Sequence, residues 1–127
     1  MILGLGLDVV DVSRMARILG GPPSRAERFL ARVFTSRERA YCDPCADRPA
    51  RYAARFAAKE AGVKALGVPA GLRFTELEVV RPEGSPALVL SGNAALAARR
   101  LGVSRLHLTI THDGGVAAAA VVAEGER

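Results

Sequence analysis

The run from Arg51 to Leu66 contains no proline and repeats its large apolar side chains at helical spacing, so it sets the frame around which the rest of the chain must fold. On a wheel turning roughly 100° per residue, Tyr52, Phe56, Val63 and Leu66 form one stripe roughly 80° wide. Glu60 falls at the edge of that stripe, where packing shields it in part from water. Lys64 lies one turn later, in the favourable order for an ion pair with Glu60. Gly67 closes the helix as a C-cap, and Pro69 prevents its return.

The segments on either side are short and of mixed type. Met1 to Leu7 reads as a strand in which Leu3, Leu5 and Leu7 alternate with Gly4 and Gly6, giving one greasy and one bare face. Asp8 shares the parity of the glycines, which leaves open room beside its carboxylate for a ligand, or brings a neighbouring backbone close. Asp11 or Ser13 caps a helix to Leu19, ended by Gly20-Gly21-Pro22-Pro23. Further helices are expected over Ala26 to Val33 and Ser36 to Tyr41, strands over Thr75 to Val80 and Ala87 to Leu90, and a helix capped by Ser91 and running to Leu101. Leu106, Leu108, Ile110 and His112 then share one strand face. Asp113-Gly114-Gly115 turns the chain into a final strand, Val116 to Val122. His107 reads as a surface imidazole, and His112, beside a glycine turn, as a displayed one.

A chain of 127 residues, 50% apolar and 24% charged, is expected to form one globular domain over residues 1–127. No apolar run approaches the roughly 20 residues of a membrane span. The start has no basic n-region ahead of an apolar segment, which points to the cytoplasm. Cys42 and Cys45 form an isolated C-x-x-C with no second ligand pair, and are expected to be inert thiols of a reducing compartment. The net charge is +5, and ten arginines precede residue 56 against six acids, so an acidic partner should dock on the N-terminal half. Only two lysines occur, Lys59 and Lys64, and their survival among 16 arginines marks a site that needs a compact ammonium.

Most chemistries lack their residues. Gly4-Leu5-Gly6 has no third glycine for a dinucleotide fingerprint, no P-loop occurs, and no serine sits in G-x-S-x-G. Asp8 and Glu60 remain, two sheltered carboxylates among cations. Few oxygen ligands suit Mg²⁺, which keeps several waters and completes its shell with substrate phosphates, so the residues point to phosphoryl-group chemistry. A basic nucleic-acid-binding module is the rival reading. With four Phe and two Tyr and no basic-aromatic interleaving, the chain offers no stacking platform, and neither nucleic acid nor membrane is expected as a partner.

Gly4-Leu5-Gly6-Leu7-Asp8-Val9-Val10 with Arg14, and Arg55-Phe56-Ala57-Ala58-Lys59-Glu60-Ala61 with Lys64-Ala65-Leu66-Gly67, resemble the two signature blocks of the holo-acyl-carrier-protein synthases, which are 4′-phosphopantetheinyl transferases. The likeness extends to Arg32-Val33-Phe34-Thr35, Glu38-Arg39-Ala40-Tyr41, Leu90-Ser91-Gly92 and the terminal Thr-His hairpin. The resemblance implies an α+β fold: a small antiparallel sheet packed against a long central helix and shorter helices. It implies Mg²⁺-dependent transfer of phosphopantetheine from coenzyme A to a serine of apo acyl carrier protein, of fatty-acid or polyketide synthesis, with release of adenosine 3′,5′-bisphosphate.

By the same resemblance Asp8 and Glu60 hold the metal and Lys64 binds phosphate, these three forming the catalytic set. Arg55, Lys64, Gly67 and His112 contact the coenzyme. Either Glu60 or a metal-polarised water takes the serine proton. Arg14, helped by Arg17, Arg25 and Arg28, faces the acidic carrier, and the chains assemble as homotrimers with each site shared by two neighbours. Two positions depart from many relatives: Thr111-His112-Asp113 stands for Ser-His-Thr, and Ser85 replaces a base before Pro86.

Overall fold

A computed structural model describes residues 1–127. The elements in order are β1 (Ile2–Asp11), α1 (Val12–Leu19), α2 (Pro23–Val33), α3 (Ser36–Cys42), α4 (Arg48–Ala65), β2 (Leu77–Val80), β3 (Ala87–Leu90), α5 (Gly92–Leu101), β4 (Val103–Asp113) and β5 (Val116–Gly125). β1, β5 and β4 form an antiparallel sheet in that order, and β2 and β3 pair separately. The α+β arrangement of a small antiparallel sheet on a long helix is therefore the one observed. No helix is long and apolar enough to cross a membrane.

α4 is buried on far more of its circumference than its apolar stripe suggests. Tyr52 is buried as expected, but so are Ala53, Ala57, Ala58, Ala61 and Ala65, which carry too little side chain to register as an apolar face. Small side chains let other elements approach the helix on several sides. The bare face of β1 does so most closely: a Cβ on Gly6 would lie 1.8 Å from the Ala61 carbonyl oxygen, and one on Gly4 1.9 Å from that of Ala65. The glycine alternation is thus a close backbone approach, and it stops at Asp8, where a side chain first fits. The greasy face points away from the core, with Leu5, Leu7 and Val9 at 68%, 64% and 60% exposure.

Element ends shift from expectation for local reasons. α4 begins three residues before Arg51 because Pro49 is tolerated in a first turn, where its missing N–H has no partner to lose. β1 continues past Leu7 because Val9 and Val10 still pair with Ala118 and Ala117, and β5 likewise runs beyond Val122. Thr75 and Glu76 form a 3₁₀ turn rather than strand, because the Glu76 carboxylate accepts from the Arg73 and Asn93 amides at 3.0 Å. The same carboxylate caps α5, whose Ser91 makes no side-chain cap. Asp11 does cap α1, accepting from the Ser13 amide at 2.9 Å. Gly114 and Gly115, at φ of 58° and 80°, make the two-residue turn between β4 and β5.

Lys59 is wholly buried and serves the fold instead of a shared lysine site. Its ammonium lies 2.7 Å from Glu38 Oε1 and donates to the Phe74 and Leu77 carbonyls at 3.0 and 2.9 Å. Glu38 also accepts from the Thr35 and Val79 amides, both at 2.9 Å. A buried ion pair holds only when its remaining hydrogen-bonding capacity is filled in this way.

Cys42 and Cys45 are unpaired, and burial pushes the Cys42 thiol up from 9.0 to about 11. Folding therefore favours the protonated thiol, a contribution complete below about pH 9 and lost as pH rises through about 11. At pH 8 iodoacetamide is expected to alkylate only Cys45 in the native protein and both thiols after denaturation. Two modifications on the native protein, read by intact mass, would contradict this assignment.

Candidate active site

β1 and α4 bring the first group of site residues together. Asp8 leaves β1 at the first position where the strand carries a side chain toward α4, and Lys64 Nζ meets its Oδ1 at 3.2 Å and the Leu7 carbonyl at 2.9 Å. The Glu60–Lys64 pair expected along the helix is not the contact made. Docking α4 on the glycines puts two acceptors of β1 within reach of the ammonium, against one carboxylate on its own helix. Glu60 still belongs to the group: burial foremost, then the charge of Asp8, raise its carboxyl above the ordinary range, while Lys64 and Arg14 oppose them. Asp8 and Glu60, carboxylates on facing elements, could together seat a cation.

Asp8 and Glu60 fit a hard divalent ion of the Mg²⁺ kind. No group of three or more His, Cys, Asp or Glu that could hold a metal ion is present, so Asp8 and Glu60 would offer this ion two oxygen-bearing residues. Sites of this composition suit a metal that draws its remaining ligands from water and phosphate. Gly67 follows Lys64 at the end of α4, at φ 81°, its N–H donating to the Lys64 carbonyl at 3.0 Å. It lines an open cavity of about 580 Å³ with Leu66, Pro69 and residues of α5.

Arg55 and His112 lie elsewhere. They line a separate cavity of about 270 Å³ with Arg51, Arg81 and Thr111; no carboxylate is among the lining residues, although Asp47 holds Arg51 at 3.0 Å. Asp113, which departs from many relatives beside His112, is not among the residues of this wall. Arg81 stands in the wall although Ser85 does not. Arg55 is only 3% exposed, and its Nε has no partner. On the α4 wheel, Arg51 and Arg55 fall roughly 180° from Glu60 and Lys64, across a helix about 10 Å thick. One chain therefore does not gather all the site residues around a single cavity.

The third group gathers as its charge suggested. Arg14, Arg17, Arg25, Arg28 and Arg32 line one groove of about 550 Å³ between α1 and α2, with Phe29 in its wall. Arg14 also acts on the Glu60 carboxyl, so this groove opens beside the carboxylate pair. Arg51 and Arg81 were not singled out from the sequence. Arg51 precedes Arg55 by one helical turn, a spacing that would have revealed it, whereas Arg81 reaches its place only through the β2–β3 hairpin. His107 pairs with Glu124 at 2.9 Å on the exposed sheet face, as a surface imidazole should.

Comparison with known proteins adds to this geometry. The family model of the 4′-phosphopantetheinyl transferase superfamily matches residues 4–121. The chain is 71% identical over 125 residues to a holo-[acyl-carrier-protein] synthase of Anaeromyxobacter dehalogenans, with 98% of both chains covered. Among solved structures, it resembles an ACPS–CoA complex from Chronobacterium ammoniagenes with a TM-score of 0.82, at 30% identity over 98% of each chain. It also resembles a Helicobacter pylori holo-[acyl-carrier-protein] synthase in complex with coenzyme A, with a TM-score of 0.79 and 29% identity, over 94% of this chain and 99% of the other.

Proposed function

The chain belongs to the 4′-phosphopantetheinyl transferase superfamily, and on that premise we propose that it moves 4′-phosphopantetheine from coenzyme A to a serine of apo acyl carrier protein, acting as one domain over residues 1–127. The observation that carries the reading is the meeting of Asp8, Glu60 and Lys64 where β1 docks on α4. The serine oxygen attacks the phosphorus that bears pantetheine, the bond to the bridging oxygen breaks, and its electron pair leaves with adenosine 3′,5′-bisphosphate. Mg²⁺ held by Asp8 and Glu60 would neutralise charge on the diphosphate and orient it. Lys64 supplies a point charge to a phosphate oxygen. Glu60 would take the serine proton. Arg55, Gly67 and His112 contact the coenzyme. Incubation with coenzyme A, Mg²⁺ and apo carrier, followed by intact mass of the carrier, tests the reaction; an unmodified carrier would end this reading.

A homotrimer with shared sites is part of the proposal. Its support is the exposed apolar sheet face of Leu5, Leu7 and Val9, together with the placement of Arg55 and His112 on the side of α4 away from Glu60. A partner whose Arg55 cavity faces the first chain's carboxylates completes the set. The unpaired thiols accord with the reducing cytoplasm.

The arginine groove suits the acidic carrier, and its charges act mainly on encounter. Arg14→Glu is expected to raise KM for carrier about tenfold at low salt and leave coenzyme A binding intact. Added salt should bring the wild type toward the variant. A variant that loses coenzyme A affinity and keeps carrier affinity would move Arg14 to the nucleotide pocket.

A further inference from the structure

α3 and α4 are joined by three successive rungs. Glu38 meets Lys59 in the buried ion pair at 2.7 Å. One turn along α3, the Tyr41 ring lies under Arg55, with the guanidinium carbon 4.1 Å from the ring centroid. Past the end of α3, Asp43 accepts from the Tyr52 hydroxyl at 2.6 Å. The capping box of Thr35 and Glu38 fixes the start of α3, so the outer rungs hold the middle one in place.

The middle rung serves no evident packing need. Tyr41 is 39% exposed, whereas Arg55 is 3% exposed, makes no ion pair with any carboxylate, and has a buried Nε without a partner. A guanidinium withdrawn from water and left without a counter-charge is costly, unless an anion is to meet it. Arg51, one turn before Arg55, donates to the Tyr41 hydroxyl at 3.3 Å and is tied to Asp47 at 3.0 Å. Tyr41 thus touches two of the three arginines of the cavity that His112 also lines. An aromatic face attracts a cation without neutralising it, so a guanidinium resting on it stays available to a phosphate. A carboxylate in the same place would compete with the ligand.

We propose that Tyr41 is a positioning residue for the coenzyme: its ring face holds the Arg55 guanidinium, uncompensated, in the His112 cavity, ready for a phosphate of the nucleotide. The inference rests on the reading of Arg55 as a coenzyme contact. Its reach is over affinity for the nucleotide, with no part in the proton transfer or in carrier docking.

Direct binding of adenosine 3′,5′-bisphosphate, measured by calorimetry, separates this role from a structural one. Tyr41→Leu is expected to weaken binding about fivefold and to raise KM for coenzyme A by a similar factor. Its kcat, KM for carrier and melting midpoint should change little. Tyr41→Phe keeps the face, loses only the hydroxyl, and should bind within twofold of the wild type. Arg55→Gln should weaken binding at least as much as Tyr41→Leu. Normal binding by Tyr41→Leu, beside weak binding by Arg55→Gln, would overturn the proposal and leave the coenzyme reading standing. Equal loss in Tyr41→Phe and Tyr41→Leu would overturn it in favour of the hydroxyl. Normal binding by Arg55→Gln would show that the coenzyme reading of the cavity itself has failed. Should Tyr41→Leu not fold, Tyr41→Gln, which also removes the face, takes its place with the same expected loss.

Discussion

Asp8→Ala and Glu60→Gln are each expected to lower turnover by about 10²–10³-fold, the loss typical when one group that stabilises developing charge is removed. The two carboxylates come from facing elements, and the charge of Asp8 acts on Glu60, so loss of either leaves a single carboxylate to hold a cation. Asp8→Ala also frees Lys64 from its 3.2 Å contact, although the Leu7 carbonyl at 2.9 Å still restrains the ammonium. The fold should survive, because the approach of β1 to α4 depends on Gly4 and Gly6 rather than on the carboxylate. A melting midpoint close to that of the wild type would confirm that the loss is chemical. Chelation should abolish transfer and added Mg²⁺ restore it, with both variants needing far more Mg²⁺ for what activity remains. Full activity of Asp8→Ala in Mg²⁺ would refute the metal assignment.

How much of this site the sequence disclosed varied with the physics behind each part. Asp8 was legible because a strand of alternating glycines can end only where a side chain fits again, and that boundary is written in composition. The groove of Arg14, Arg17, Arg25 and Arg28 was legible as a local excess of one charge on two successive helices. The burial of α4 was hidden, because alanine adds little to a hydrophobic stripe yet permits close packing all around. Lys64 was placed in the right cluster with the wrong partner: its choice between Glu60 and Asp8 depends on how a distant strand docks, which helical spacing cannot report. Lys59 was read with Lys64 as one ammonium site, and only the three-dimensional position of Glu38 separates their roles. The distance between His112 and the carboxylates was likewise invisible, since sequence order says nothing of which side of α4 faces which edge of the sheet.

That separation leads to the most discriminating expected result. Glu60→Gln alone, and a variant carrying both Arg55→Gln and His112→Ala, should each be nearly inactive as uniform assemblies, and mixing them should restore activity. Glu60 faces the β1 side of α4, while Arg55 and His112 face a cavity on the other side, beyond a helix about 10 Å thick. If each site is built at a seam between two chains, it needs an intact Glu60 from one and an intact Arg55 and His112 from the next. With equal amounts and random exchange, half the chains offer the first and half the second, so about a quarter of the seams are complete in a closed ring. The mixture should then recover about a quarter of wild-type turnover. Persistent inactivity, with mixed trimers demonstrated by native mass spectrometry, would mean that each chain relies on its own Arg55 and His112. The coenzyme would then have to wrap around α4 within one chain. The exposed face of Leu5, Leu7 and Val9 would be left to explain assembly without explaining catalysis.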